Sequence, residues 1–400
     1  MARHRPATEE KLARLVRSFA ANRKPVEVLG GGTRPVGNPV KVDEVIETGA
    51  LSGVTLYEPG ALTLVAKAGT PLEEVNAALA AENQHLPFEP ADYAGLFGTS
   101  GQSTIGGVVA SGSTGPRAIQ VGGARDALIG VRFVSGEGEI IKNGGRVMKN
   151  VTGYDLVKLL AGSHGTLGIL TEVSFKLLPR PHTATTVKVH GIDAAGAVAA
   201  MTAALTSPYD VSGAAYDPSM EGGTALIRIE GFENSVSYRA GKLSELVADD
   251  HPSSAQIETE TDATRIREIW KAIRDASFAG GVGTLLKAVL KPSDAPGLLD
   301  ELRRSHAFDY LMDRGGGLVW MNADLSGEDT LSFINDAREA AAKRGGHVNI
   351  VRAPMEVYAR VEAFHPQPDP IEAISAALRQ QFDPAGILNP GRMAREGAVA

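Results

Sequence analysis

The sequence predicts an α+β protein with more than one domain. Its 400 residues leave room for at least two hydrophobic cores, because single domains usually span roughly 100–200 residues. Short apolar runs alternate with glycine and proline turns, and amphipathic helical patterns occur among them at irregular intervals. This order is too irregular for a repeated βαβ unit, which leaves the α+β class.

The first 24 residues predict an amphipathic helix, with Leu12, Leu15, Val16 and Phe19 on one side. The segment lacks the apolar run of a secretory signal. No stretch of the sequence approaches the roughly 20 apolar residues of a membrane span. We therefore expect a cytoplasmic protein, with attachment to the periphery of the inner membrane through a complex as the alternative.

Charge and cysteine content exclude several kinds of site. The formal net charge is −7, which argues against a chain-wide attraction to nucleic acid or anionic lipid. The sequence has no cysteine, so disulfides, thiolate metal sites and cysteine-held iron–sulfur clusters are excluded. An iron–sulfur centre that accepted electrons from this protein would lie on another chain.

Residues 1–180 predict a first domain of short strands and glycine-rich loops. The pattern over 71–82 predicts a helix that starts at Pro71 and has Leu72, Val75 and Leu79 on one face. Further predicted elements are strands at 26–29, 63–66, 127–134, 139–141 and 167–178 and a helix at 154–160.

Pro179 and Pro181 indicate a domain boundary, because proline interrupts regular structure. We predict a second α+β domain over 181–353 and a C-terminal segment over 354–400. The predicted strands beyond the boundary are 185–190, 211–216, 224–230, 285–290 and 318–321, and the predicted helices are 194–205, 236–248, 264–276, 329–343 and 371–382.

The 46 glycines are the unusual part of the composition. The excess concentrates between apolar runs in 30–32, 95–123, 130–145 and 153–168, as is typical of loops where the backbone approaches a bound group. Gly30, Gly31, Gly32 and Thr33 follow a predicted strand, and such consecutive N–H groups can cradle a pyrophosphate. Taken alone, this loop is better interpreted as a plain tight turn.

Two later glycine-rich segments carry hydroxyl groups. In 98–115, Thr99, Ser103 and Thr104 can hydrogen-bond phosphate or ribityl oxygens, while Gly106 and Gly107 let the backbone approach a flat ring. The alternative is a mobile surface loop, which the apolar residues inside the segment disfavour. The second segment reads Gly-Ser-His-Gly-Thr-Leu-Gly-Ile over 162–169, and it places backbone donors beside a bound group.

These segments, together with Asp-Pro-Ala-Gly-Ile-Leu-Asn-Pro-Gly at 383–391, resemble the FAD-binding module of the vanillyl-alcohol oxidase or PCMH-type flavoproteins. The resemblance covers nearly the whole chain. It implies a two-subdomain PCMH-type FAD-binding module, an inserted α+β cap domain of ferredoxin-like type, and a C-terminal tail that returns to the flavin. The run Met-Lys-Asn-Val-Thr-Gly-Tyr-Asp at 148–155 is most similar to the FAD-binding E subunits of bacterial glycolate oxidases.

The resemblance also implies roles for individual residues. The loop 30–33 would hold the pyrophosphate, the hydroxyls and glycines of 99–107 would line the flavin and its ribityl arm, and Asn389 would approach the isoalloxazine. The adenine half or the pyrophosphate would be held by Gly165, Thr166, Gly168 and Ile169.

Two departures from the family pattern narrow these expectations. Some relatives attach FAD covalently through a histidine near the first glycine loop, and 30–37 contains none, so we expect non-covalent FAD. The chain also lacks the His-x-Gly-Asp-Gly-Asn-x-His segment of related D-2-hydroxy-acid dehydrogenases, so we expect no metal. We interpret His347 as a strand residue, His365 as part of a surface loop and His164 as outward-facing.

The residues that would contact substrate remain open at this stage. A 2-hydroxy acid needs a cation for its carboxylate and a base near its hydroxyl group. Arg352, Arg314 and Lys287 are candidate cations, although each also fits a solvated surface position. Tyr154 and Lys149 are candidates to reach the flavin, and Tyr154 fits a core position equally well.

The resemblance implies an FAD-dependent subunit of a complex that oxidises glycolate or another D-2-hydroxy acid. Electrons would pass through FAD to an iron–sulfur subunit, with a companion FAD subunit also present. The alternatives are a stand-alone FAD oxidase or dehydrogenase of another alcohol, and a scaffold subunit that binds FAD without catalysis.

Overall fold

A computed structural model describes residues 1–145, 154–249 and 256–394. The chain forms two compact units. Unit 1 comprises Met1–Thr114, Val121–Arg180 and Glu362–Ala400, and unit 2 comprises Gly115–Gln120 and Pro181–Val361. Unit 2 thus contains a short segment from within the first 180 residues in addition to the long segment 181–361.

The strands are β1 (Ala2–His4), β2 (Val26–Leu29), β3 (Glu44–Glu47), β4 (Val54–Glu58), β5 (Thr63–Lys67), β6 (Gln84–His85), β7 (Leu128–Val134), β8 (Ile140–Gly144), β9 (Ile169–Lys176), β10 (Leu178–Pro179), β11 (Thr183–His190), β12 (Val211–Asp217), β13 (Thr224–Gly231), β14 (Gln256–Glu260), β15 (Thr284–Val289), β16 (Asp309–Asp313), β17 (Leu318–Ala323) and β18 (His347–Arg352).

The helices are α1 (Glu9–Ala21), α2 (Leu72–Ala81), α3 (Ala94–Phe97), α4 (Ile105–Ala110), α5 (Ala118–Val121), α6 (Ala124–Ala127), α7 (Leu156–Leu160), α8 (Ala194–Thr206), α9 (Glu233–Asp249), α10 (Ala263–Arg274), α11 (Ala295–Arg303), α12 (Gly327–Ala342) and α13 (Asp369–Phe382). No helix in the described ranges is long and apolar enough to cross a membrane.

Unit 1 contains three sheets. The parallel sheet β1-β3-β2 packs against α1, whose Leu12, Val16 and Phe19 are buried. An antiparallel sheet of order β4-β5-β9-β7-β8 forms the second layer, and α2 and α4 pack their apolar residues into its core. A two-stranded ribbon, β10-β6, completes the unit.

Unit 2 is built on one antiparallel sheet of order β14-β11-β13-β12-β16-β17-β15-β18. Its elements follow the order β-α-β-β-α-β twice: β11 to β14 with α8 and α9, and β15 to β18 with α11 and α12. This is the ferredoxin-like pattern. The second half repeats the strand order of the first in reverse, and the halves join where Tyr216 of β12 pairs with Met312 of β16.

A buried ion pair ties the short segment 115–120 to the sheet of unit 2. The Nη2 atom of Arg117 lies 2.6 Å from Oε1 of Glu230, and both side chains are nearly buried. Nε of Arg228 lies 3.3 Å from the other carboxylate oxygen of Glu230. The Arg228 guanidinium stacks 4.6 Å from the ring of Trp270 on α10. One carboxylate therefore joins two cations from different segments.

We expect Arg117→Met to lower the free energy of unfolding by about 3 kcal/mol, because it removes one partner of a buried charge. Urea denaturation would measure the loss. The control is Arg265→Met in the same unit. The Arg265 side chain is 72 % exposed and lies 3.7 Å from Glu260, so its loss should be about 1 kcal/mol or less. Equal losses in the two variants would contradict a special role for the buried pair.

Candidate functional site

Unit 1 has a cleft beside the end of β2, a concave form typical of small-molecule sites. Most of the site residues predicted from sequence line it. They are Gly30, Gly31, Gly32, Thr33, Thr104, Gly106, Gly107, Gly165, Gly168, Ile169 and Asn389.

The first two glycine-rich segments pass each other backbone against backbone. A Cβ atom on Gly31 would lie 1.5 Å from the carbonyl oxygen of Gln102, and one on Gly101 would lie 1.8 Å from the carbonyl oxygen of Gly31. Gly32 adopts a φ of +69°, in the left-handed region that glycine enters without strain. Glycine is therefore required here for the loops to meet and turn at the cleft wall.

The second segment is partly helical, where the sequence suggested an irregular loop. Its residues Ile105–Ala110 form α4, and Thr104 is the N-cap, accepting a hydrogen bond from the backbone N–H of Gly107 at 3.3 Å. A Cβ on Gly30 would lie 2.3 Å from the same hydroxyl oxygen. The Thr104 hydroxyl thus caps α4 and packs against the first loop.

The C-terminal tail reaches the cleft by pairing with β2. The backbone of Asn389 donates to the carbonyl of Val26 at 3.0 Å. Its side-chain Oδ1 accepts from the N–H of Val28 at 2.7 Å, and Nδ2 donates to the carbonyl of His164 at 2.7 Å. Asn389 lines the cleft, and its amide joins β2 to the 162–169 segment.

Asp383 fixes the turn that leads into this tail. Its Oδ2 accepts from the backbone N–H of Leu388 at 2.7 Å. The pKa of Asp383 is raised because its burial outweighs the hydrogen bonds that the Leu388, Ile387 and Gly386 backbone donates.

Three predicted residues, Thr99, Ser103 and Thr166, are not among those that line the cleft. Ser103 Oγ accepts from the guanidinium of Arg34 at 3.1 Å. The hydroxyl of Thr166 donates to the carbonyl of Ser163 at 2.7 Å, so it stabilises its own turn. Thr99 Oγ1 is buried and has no hydrogen-bond partner within the described part of the chain.

The lining also contains side chains that sequence reasoning missed. Arg34, Arg392 and Ser111 border the cleft, and so does His164, which the sequence placed outward. The His164 residue has a φ of +50° and its ring lies 5.2 Å from that of Phe364. Of these residues, only Arg34 carried a signal in the sequence, because it directly follows the first loop. The others reach the cleft through contacts between chain segments that are far apart in sequence.

Cations dominate the charge of the cleft. Arg34 and Arg392 carry positive charges, and no acid occurs among the described residues that line it. Arg392 also pairs with Glu27. Backbone donors, hydroxyl groups and positive charge suit an anionic, elongated ligand with a pyrophosphate.

Neither of the two weak catalytic candidates is among the described residues that line the cleft. Tyr154 is 90 % exposed, which excludes the core position that the sequence left open. Arg352 lies in unit 2 and donates to the carbonyls of Gly283 and Ala279, each at 3.0 Å. It holds the 279–283 loop of its own unit. Lys149 lies outside the described residues, as does most of the 148–155 motif.

The other candidate cations also belong to unit 2. Lys287 lies on β15, with Nζ 5.4 Å from the centre of the Trp320 ring. Burial lowers the pKa of Lys287 to about 8, and the neighbouring charge of Arg314 adds to the shift. His347 begins β18 as expected, and its pKa is lowered mainly by burial and also by Lys287.

Comparison with known proteins supports a flavin site. A family model described as an FAD binding domain matches residues 2–144. The chain is 32 % identical to the glycolate oxidase subunit GlcE of Escherichia coli K12, over 97 % of both chains. It is 26 % identical to the glycolate oxidase subunit GlcD of Bacillus subtilis 168, over 99 % of this chain and 90 % of the relative.

The fold matches a solved PCMH-type flavoprotein. The structure of p-cresol methylhydroxylase with substrate bound aligns with a TM-score of 0.69 and 14 % identity, over 98 % of this chain and 88 % of that one. The predicted fold class and the predicted FAD cofactor are confirmed.

We expect Gly31→Ala to weaken FAD binding about tenfold or more, because relieving the clash with Gln102 must move one of the loops, and overpacking costs about 1–3 kcal/mol. Titration of flavin-free protein with FAD would measure the affinity. Gly60→Ala is the control, since a Cβ there meets nothing within 4 Å. Unchanged affinity in Gly31→Ala would show that the loops tolerate separation.

The raised pKa of Asp383 predicts that the stability of the protein depends on pH. Its folded-state pKa exceeds the unfolded value, so its contribution to stability is full at low pH and is lost as pH rises through the folded-state pKa. Asp383→Asn remains neutral throughout. We therefore expect the stability of the variant relative to wild type to rise from acid to neutral pH, as measured by urea denaturation across that range. A pH-independent difference would contradict the shift.

Proposed function

The chain belongs to the family of FAD-linked oxidoreductases that includes the glycolate oxidase subunit GlcE, and we propose that it is an FAD-binding subunit of a complex that oxidises glycolate or another D-2-hydroxy acid. The observation that carries this proposal is the similarity to GlcE along 97 % of both chains. FAD, when bound, supplies the electron-accepting chemistry that amino-acid side chains lack.

Within this proposal, the residues of the cleft bind and orient the cofactor. The backbone of Gly30, Gly31, Gly32 and Thr33 holds the pyrophosphate, where unobstructed N–H groups meet positive charge from Arg34. The segment from Thr104 to Gly107 borders the flavin and its ribityl arm. Gly165, Gly168 and Ile169 hold the adenine half or the pyrophosphate, and Asn389 keeps the tail and β2 together around the cofactor.

Electrons would leave this subunit for a partner. The chain has no cysteine, and iron–sulfur clusters are held mainly by cysteine thiolates, so an iron–sulfur acceptor would belong to another subunit. The likeness to GlcD, itself named a glycolate oxidase subunit, supports a companion FAD subunit of the same family. A cytoplasmic location stays a prediction.

The test is anaerobic reduction of the flavin by glycolate or D-lactate. We expect the visible flavin band of the chain to bleach when the protein is purified together with its partner subunits, and to persist when the chain is alone. Bleaching of the isolated chain would favour the stand-alone dehydrogenase. A band that persists even in the complex would favour a scaffold that binds FAD without catalysis.

We further propose that FAD is bound non-covalently, since the loop 30–37 contains no histidine and the chain no cysteine. Acid precipitation of the purified protein should therefore release all the flavin into the supernatant, where its absorbance can be compared with that of the native sample. Flavin retained in the pellet would contradict this assignment. Peptide mapping of the pellet would then identify the residue that carries the linkage.

A further inference from the structure

Arg34 contacts several segments that border the cleft. It directly follows the first glycine loop and is itself part of the lining. Its Nη2 lies 3.1 Å from Oγ of Ser103 and its Nη1 lies 3.3 Å from Oγ of Ser113. Nη2 also donates to the carbonyl of Ala91, and the guanidinium lies 5.0 Å from the centre of the Tyr93 ring.

These contacts enclose the second segment from both ends. Ser103 immediately precedes Thr104, the N-cap of α4, and Ser113 follows the end of that helix at Ala110. Ser113 Oγ also accepts from the N–H of Ala91 at 3.2 Å. One guanidinium therefore sets the position of the first loop relative to both ends of α4.

The guanidinium geometry is needed for this arrangement. A planar fork can donate in several fixed directions and stack on an aromatic ring at once, whereas a lysine ammonium is a compact charge on a flexible stem. The acceptors at Ser103, Ser113 and Ala91 are neutral oxygens. Together they fix the direction in which the guanidinium points at the cleft wall.

We propose that Arg34 is a positioning residue for FAD: its guanidinium holds the two glycine-rich segments at the separation that the cofactor requires and places one positive charge beside the anionic ligand. This role depends on the FAD site and is independent of the hydroxy acid or the partner subunits.

The experiment compares Arg34→Lys and Arg34→Gln as flavin-free protein titrated with FAD, following the loss of flavin fluorescence. We expect Arg34→Lys to bind about tenfold more weakly, because hydrogen bonds from a charged donor are worth about 1.5–3 kcal/mol. Arg34→Gln should bind more weakly still and should show a smaller dependence of affinity on salt, since the charge is gone. A purely structural residue would not change the salt dependence.

Two further variants separate positioning from general stability. Ser113→Ala, which is outside the cleft lining, should weaken FAD binding in the wild type and much less in the Arg34→Lys background, because the two side chains act as a unit. Arg132→Lys is the matched control: Arg132 is a half-buried arginine of unit 1 paired with Glu9, outside the lining. It should leave FAD affinity within about twofold of wild type, a shift well below 1 kcal/mol.

Wild-type affinity in Arg34→Lys and Arg34→Gln would overturn the proposal. So would an equal loss in Arg132→Lys, which would assign the effect to stability of the unit. Unfolding of the flavin-free variants in urea identifies any that fail to fold, and in that case the FAD affinity of the Ser113→Ala single variant decides, since wild-type affinity there would also overturn the proposal. Because these titrations use no hydroxy acid, a negative result for Arg34 would not contradict the proposed oxidation of glycolate. A negative result for glycolate oxidation would likewise not contradict the role of Arg34.

Discussion

The cleft that we propose as the FAD site depends on one side-chain amide near the end of the chain. Asn389 accepts from Val28 on β2 and donates to the carbonyl of His164 in the 162–169 segment. These groups are separated by hundreds of residues in sequence, so their meeting must offset a large loss of conformational entropy. The tail offsets it by pairing its own backbone with Val26 and by the turn that Asp383 fixes. Hydrogen bonds from the tail thus join the strand that precedes the first glycine loop to the 162–169 segment.

Local patterns predicted much of the fold, and the residues that were missed had no local signal. Helices α1 and α2 have clear apolar faces, and β7, β11 and β13 are rich in residues that favour strands. The edge strand β14 reads Gln-Ile-Glu-Thr-Glu, in which only Ile257 and Thr259 favour a strand. Its strand state comes from pairing with β11. The double ferredoxin-like arrangement of unit 2 is likewise visible only in the pairing of its strands, because the sequence shows no repeat.

The same distinction applies to the cleft. The glycines could be predicted because close backbone approach restricts the residue type at each position, as the distances around Gly31 illustrate. The roles of hydroxyl side chains were harder to predict from sequence. The Thr104 hydroxyl caps α4, and that of Thr166 stabilises a turn. Polar groups in a loop compete for several partners of similar strength, and only the three-dimensional arrangement decides among them. Arg34 and His164 show the converse, in which ordinary residue types acquire a role through their neighbours.

The segment 115–120 restricts how unit 2 could be exchanged for the corresponding unit of a relative. A cap inserted at one point could be replaced as a single cassette, with its two ends joined to the host. Here the Arg117 side chain that pairs with Glu230 arrives on a separate loop, between Thr114 and Val121. A chimera that transplanted only 181–361 would bring a buried glutamate without this arginine. An exchange of unit 2 in this protein would therefore have to keep two stretches of sequence together to preserve the buried pair.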